Sequence, residues 1–258
     1  MAEGHTIHRI ARDQNRHLAG QALRASSPQG RFRAGATRLD GQVFTRAEAH
    51  GKNLFQLWSN SLICHIHLGM AGRFTLFKTP APPPSEQIRL RLEGAMYTAD
   101  LRGPMRCALV TEQERKGLIV SLGPDILRDD ADPERAWERI RKTVRATGAL
   151  LLDQKVVAGV GNIYRCEALF LTGIEPGRPG NSLGRDEFNA LWALLRRLMR
   201  IGVQKNRILT LAALEPEKAT DDGRFYVYKR DSCLRCGSTI RVWTLSGRTV
   251  YACPKCQR

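Results

Sequence analysis

Three stretches of this 258-residue chain hold residues that could do chemistry. The first is the start, Met1-Ala2-Glu3-Gly4, where a helical pattern begins at once after Gly4. A terminus held by a helix offers a group no other position has, a free α-amine, with the carboxylate of Glu3 beside it. By residue type alone Glu3 is a helix N-terminal acid, favoured by the helix dipole by about 0.3–1 kcal/mol. The second stretch is C-terminal. CLRC (233–236) and CPKC (253–256) stand sixteen residues apart. Two thiolates two residues apart grip one ion from a tight turn, and two such turns close a tetrahedral shell suited to structural zinc. Cys233, Cys236, Cys253 and Cys256 are therefore expected to hold one zinc ion. The third is DQKVVAGVGNIYRCEALF (153–170), where Gly159 and Gly161 lead into a helix start at Asn162. Such a turn presents backbone N–H groups and a positive dipole end to a phosphate, and Asn162 adds a side-chain amide. A bare glycine pair is equally consistent with plain helix packing.

The elements that position these groups follow from periodicity. Ile7, Ile10 and Leu18 fall near one helix face, Arg9, Arg12, Asp13 and Arg16 occupy much of the rest, and Gly20 ends the run. Residues 41–110 read as strands. LFQLWSNSLICHIHL turns at Ser59-Asn60-Ser61, and Ile88, Leu90 and Leu92 alternate with Arg89 and Arg91, which predicts a half-buried strand. TPAPPPS (79–85) is a loop by composition. Asp132-Pro133-Glu134 starts a helix, and Phe188, Leu191, Trp192, Leu195, Leu198 and Met199 form a core-facing stripe on a later one. Residues 205–223 are polar and irregular. Between the cysteine pairs, TIRVWTL and RTVYA flank Ser246-Gly247 as a ribbon with Arg248 at its tip. The expected class is α+β, with domains at 1–118, 133–222 and 223–258 and a linker at 119–132.

Lys and Arg number 41 against 25 Asp and Glu, a formal charge of +16. Such an excess points to a polyanionic partner, most often nucleic acid. Residues 224–258 carry eight of these cations against one acid, Asp231. No apolar run approaches the ~20 residues of a membrane span, and no signal peptide opens the chain. A cytoplasmic protein without membrane partners is expected. Cys64, Cys107 and Cys166 stand singly and are expected to be inert thiols.

Taken in order, AEGH at the start, HGKNLF around Lys52, HIHLGMAGRF (65–74), DLRGP (100–104), LLLDQKVVAGVGNIY and the four-cysteine ribbon make this sequence similar to the formamidopyrimidine-DNA glycosylase/endonuclease VIII family over essentially its whole length. The resemblance implies a β-sandwich with a leading helix, a helix–two-turns–helix domain and a zinc ribbon. It implies a monomer that acts on damaged double-stranded DNA as glycosylase and AP lyase. In the family the residue after the initiator Met is Pro, whose freed amine attacks C1′ of a damaged nucleotide; here Ala2 stands there. With Met1 removed, Ala2 would carry a primary amine of pKa about 7.7–8.0, against about 10.4 for lysine, able to form an imine.

The resemblance makes Glu3 the proton donor to the sugar and Lys52 an assistant in catalysis. It makes His67, Asn162, Tyr228 and Arg248 contacts to the DNA backbone. It makes Met70 a wedge filling the gap left by an everted base, and Arg102 a contact to the orphaned partner base. The purine-directed branch places Phe two residues after that arginine, where this chain has Pro104. HGKN, the missing aromatic wedge and the lack of a clear glycine-rich capping loop before Tyr226 favour the endonuclease VIII branch and oxidised pyrimidines. The alternative, resting on Ala2, is a lesion-binding protein of the same fold without catalysis. A ribosome-associated zinc-ribbon protein is a third reading.

Overall fold

A computed structural model describes residues 2–215 and 225–258, and the chain divides into two compact units, Met1–Val120 and Ser121–Arg258. In the first unit, helix α1 (Gly4–Leu18) buries His5, Ile7, Ala11, Gln14 and Leu18 along one side. It ends where Ala19 turns extended and Gly20 takes φ 79°. Polar side chains fix it to the sheet below. Asn15 donates to the Ala47 carbonyl at 2.9 Å and accepts from the Ala47 N–H at 2.6 Å, while Gln56 donates to Gln14 at 2.9 Å. The Gln14–Gln56 pair is buried and the Asn15 pair clips one backbone residue at both its groups, so a shift of helix on sheet would strand these groups without partners.

Two antiparallel sheets form the body. One has the order β1 (Gln21–Ala22), β3 (Val43–His50), β4 (Asn53–Trp58), β5 (Ile63–His67), β9 (Arg106–Val110). The other runs β2 (Arg24–Ser26), β7 (Ile88–Glu93), β8 (Tyr97–Arg102), β6 (Arg73–Lys78). Phe44, Leu54, Ile66, Leu90, Leu92 and Leu101 belong to one buried cluster with Ile7 and Leu18 of α1. The expected turn at 59–61 is present, with Ser61 at φ 61°. The alternation expected for β7 fails at Arg91, which is buried. Its guanidinium makes two bonds to Asp100 on β8, at 2.7 and 2.8 Å, and one to the Pro82 carbonyl at 2.8 Å. The loop at 79–85 thus covers the face that period two leaves open, and a buried cation needs such partners.

In this first unit two helices lie where none was expected. Helix α2 (Arg33–Leu39) buries Ala36 and Leu39. Helix α3 (Glu112–Ser121) buries no residue, but Leu118 and Ile119 pack against Phe55, Ile63 and Val110.

The second unit is helical with a terminal hairpin: α4 (Pro133–Ile140), α5 (Thr147–Leu152), α6 (Asn162–Leu171), α7 (Arg185–Lys205), α8 (Leu211–Leu214), then β10 (Arg241–Leu245) paired with β11 (Arg248–Ala252). Asp132 caps α4 by accepting from the Glu134 N–H at 3.0 Å. The stripe on α7 is buried as expected, and the helix ends at left-handed Asn206.

The boundary between the two units falls within the segment expected to link domains, 119–132, and from Gly123 on that segment packs into the second unit. Gly123 donates to the Gln154 carbonyl at 2.9 Å, Ala158 donates to the Pro124 carbonyl at 3.0 Å, and Ile126 is buried. A Cβ on Gly123 would lie 2.3 Å from the Val156 carbonyl oxygen, so the chain passes too close for a side chain. The segment reads as polar because its one deep anchor is a single isoleucine among turn residues. Within 205–223, α8 occupies part of the stretch expected to be irregular; positions 216–224, where a capping loop would fall, lie outside the described residues. Of the single cysteines, Cys64 and Cys166 are buried and Cys107 is partly so.

Candidate DNA-repair site

Each unit carries its own set of the expected site residues. In the first, Ala2 packs partly buried against the sandwich core, and Glu3 is wholly buried at the cap of α1. The Glu3 carbonyl accepts from the Thr6 N–H at 2.9 Å, and the Glu3 side chain makes no capping bond to the helix. The carboxylate therefore sits at the positive end of α1 without being consumed in closing its first turn. Burying a carboxylate is costly, which gives the position weight beyond helix initiation.

The turn between β3 and β4 holds Gly51, at φ 60°, and Lys52. On the next strand pair, Asn53 lies opposite His67. Burial lowers the pKa of His67, and the charge of Lys52 lowers it further, so these two residues share one electrostatic neighbourhood. The Gly69 N–H donates to His67 Nδ1 at 3.1 Å. Nδ1 thus accepts, the proton of the neutral ring sits on Nε2, and that N–H is a donor suited to a phosphate oxygen.

Met70 stands in the loop after β5 with 65% of its surface exposed, and Arg102 ends β8 half-buried. Across β4 and β5, His65 stacks on Phe55, with ring centroids 4.9 Å apart, and bonds Asn53 at 2.9 Å.

Burial holds His5 and His65 at a pKa of about 4, from an ordinary 6.5. Both are neutral in the fold, whereas in the unfolded chain they protonate as pH falls through 6.5. The unfolded state then binds more protons, so stability is full above 6.5 and is lost progressively toward pH 4. Thermal unfolding between pH 7 and 4 should show a falling midpoint, and His65→Asn should flatten part of that slope. A midpoint independent of pH across this window would contradict the assignment.

In the second unit, the glycine turn is more occupied than its sequence suggests. The Gly159 N–H donates to the Gln154 side chain at 3.0 Å, and Gly161 caps α6. Asn162 is buried, and its amide donates to the Thr249 carbonyl at 2.8 Å, leaving one N–H of that amide for another acceptor. Arg165, fully buried one turn later, bonds Asn162 Oδ1 and reaches the carbonyls of Leu245 and Thr249, at 3.3 and 3.4 Å. Those carbonyls flank the tip Ser246-Gly247-Arg248, where both turn residues have positive φ, 54° and 69°. The start of α6 is therefore hydrogen-bonded directly to the residues on either side of the exposed tip that carries Arg248. Sequence reading missed Arg165; a cation following apolar Tyr164 in a buried helix was the signal.

Glu167 does similar work for Tyr228. Its buried carboxylate accepts the N–H groups of Tyr226, Val227 and Tyr228, at 2.7, 2.9 and 2.9 Å, and the hydroxyl of Thr210. Burial still raises its pKa, opposed by these donors. Tyr228 packs edge-on to Tyr251 at 5.1 Å, with Lys229 beside its ring.

The sulfurs of Cys233, Cys236, Cys253 and Cys256 all lie within 4.8 Å of one another. Two of the pairs measure 3.9 and 3.4 Å. Four Zn–S bonds of about 2.3 Å in a tetrahedron put sulfurs about 3.8 Å apart, so the four fit that ion. A shell of four thiolates leaves no open position for chemistry.

The family model for the N-terminal domain of formamidopyrimidine-DNA glycosylase matches residues 1–107, and that for its H2TH domain matches residues 122–212. The chain belongs to the formamidopyrimidine-DNA glycosylase family. Within the family of this DNA-repair glycosylase, relatives carry both names. Endonuclease 8 1 of Mycobacterium tuberculosis is 45% identical, covering 100% of both chains. Formamidopyrimidine-DNA glycosylase of Geobacillus kaustophilus is 35% identical, over 86% of this chain and 84% of the relative. A crystal structure of Lactococcus lactis Fpg with DNA containing an abasic site shares the fold, with TM-score 0.80 at 23% identity and 100% of each chain covered. Among the described residues of the glycosylase, no helix is long and apolar enough to cross a membrane.

Proposed function

We propose that this chain is a bifunctional DNA glycosylase and AP lyase that removes oxidised bases, pyrimidines in preference, from double-stranded DNA, working as a cytoplasmic monomer. The observation that carries the reading is the wholly buried Glu3 at the head of a helix bolted to the sandwich, next to Ala2. Removal of Met1 frees the Ala2 amine. That nitrogen attacks C1′ of an everted nucleotide, the C1′–base bond breaks, and the base departs with its electron pair and takes up a proton. Glu3 donates a proton to the ring oxygen, the sugar opens and an imine forms between C1′ and Ala2. Loss of a C2′ proton then expels the 3′ phosphate, and a second elimination expels the 5′ phosphate. Eversion itself costs a few kcal/mol, supplied by Lys52, His67, Asn162, Tyr228 and Arg248 on phosphates, with Met70 in the vacancy and Arg102 on the partner base. One zinc ion on the four cysteines keeps the Arg248 hairpin in shape.

Borohydride reduction during reaction with an abasic-site duplex tests this. An imine reduced in place leaves a covalent protein–DNA adduct, and the mass of the protein should lack Met1. Tight binding to the same duplex with no adduct is the result expected of a lesion-binding protein, the reading that Ala2 in place of the family's proline favours.

A further inference from the structure

We propose that Met105 is a second wedge residue, acting beside Met70 and inserting with it into the base stack of a duplex at the lesion. The inference rests on the damaged-DNA reading above and names a residue that reading leaves out. Sheet topology brings the two methionines together. Strand β5 leaves the five-stranded sheet and returns as β6 in the four-stranded one, while β8 leaves the latter and returns as β9 in the former. Because β5 pairs with β9 and β6 with β8, the two crossings lie side by side: His67 stands opposite Arg106, and Arg73 opposite Arg102. Five residues, 68–72, therefore face three, 103–105.

The packing decides which side chains emerge. Leu68 is buried and its carbonyl accepts from Gly72 at 3.0 Å, closing the first loop tightly and leaving Met70 outside. In the second loop Pro104 is buried, which removes it as a wedge, and Met105 is 70% exposed. A Cβ on Gly69 would come within 2.9 Å of Met105 Cβ and 3.7 Å of its Cγ and Sδ. The Met105 side chain thus runs over the Gly69 backbone, next to Met70, and only glycine leaves it room.

Charge selects the occupant. Arg73 and Arg106 are exposed at the strand ends below the two loops, with Arg102 opposite Arg73 and His67 opposite Arg106. A pair of flexible apolar side chains ringed by cations matches a polyanion with an apolar interior, which is a stacked duplex. Methionine has three rotatable bonds and a polarizable sulfur, so two of them can fill an irregular gap that one rigid aromatic ring would otherwise fill.

The test uses the full chain and a duplex with a stable abasic analogue opposite 2-aminopurine, whose fluorescence rises on unstacking. Met105→Ala and Met70→Ala should each weaken binding to this duplex by about ten-fold, the worth of one buried methionine side chain, and blunt the fluorescence rise. Met105→Leu, apolar and of similar volume, should retain both and shows that the loop still folds. Met96→Ala is the control, since Met96 is 69% exposed in the turn at the opposite end of β8. The proposal is overturned if Met105→Ala binds and unstacks within two-fold of the parent while Met70→Ala does not. Neither readout needs the amine, so a chain that never traps with borohydride still reports on the wedge. A chain that traps normally with Met105→Ala inert keeps its lyase reading and loses this one.

Discussion

Replacing Glu3 by glutamine should lower strand incision by about 10²–10⁴-fold, the contribution of a positioned proton donor. Glutamine has the shape of the acid and can occupy the same buried space, so the fold should persist. What it lacks is a proton to give. Two roles compete for Glu3, and they separate in magnitude. If it only complements the dipole of α1, the change costs about 0.3–1 kcal/mol of stability and leaves the rate alone. If it protonates the sugar, the rate collapses while the unfolding midpoint barely moves. Burial bears on the choice, because a surface cap needs no enclosure, whereas Glu3 is wholly enclosed and makes no side-chain capping bond. Single-turnover base release and incision on a duplex carrying an oxidised pyrimidine, beside a thermal melt, measures both quantities on one preparation. A rate within three-fold of the parent would remove Glu3 from the mechanism.

Local signals in the sequence carried far where one face was buried and one was wet. The stripe on α7, the Asp132 cap and the Ser246-Gly247 turn could all be read because each depends on neighbours within a few positions. Arg91 could not, because its burial is decided by a loop nine positions upstream folding over the sheet. Helix α3 was legible and missed: Thr111-Glu112-Gln113-Glu114 is a capping box, with reciprocal bonds of 2.7 and 3.1 Å, but no buried stripe follows to draw the eye. The candidate site divides in the same way. Cysteine spacing announces a metal shell, since ligand pairs are local. The pairing of Met70 with Met105 is invisible along the chain, because 35 positions separate them and only the register of four strands brings their loops together. Asn162 shows the converse. Its place at a helix start was right, while the bond that occupies its amide comes from Thr249, on a hairpin 87 residues away.

That hairpin supports the second large effect. Stripping metal from the four cysteines, or replacing Cys253 by serine, should lower affinity for duplex DNA by one to two orders of magnitude and flatten its dependence on salt. Each cation withdrawn from a phosphate reduces the slope of log K against log salt by about 1. The hairpin has two supports. At one end Val250, Ile240 and Cys253 pack with Phe170 and Tyr226. There the Gln257 side chain accepts from Cys253 N–H at 2.8 Å and donates to the Ile174 carbonyl at 2.9 Å. At the tip, Asn162 and Arg165 hold the carbonyls around Arg248. Without metal, four thiols pressed together lose the charge that binds them, and the two cysteine turns are released while the apolar packing remains. The loss should therefore be smaller than for a zinc-finger peptide, which unfolds outright, and zinc should restore it. Arg248→Ala removes one cation and leaves both supports intact, so its slope should fall by about 1 and no further. If metal removal changed the slope no more than Arg248→Ala does, the cysteine shell would contribute nothing to DNA binding beyond that one residue. Metal content per chain, followed by titration of labelled duplex across salt concentrations before and after chelation, decides between them.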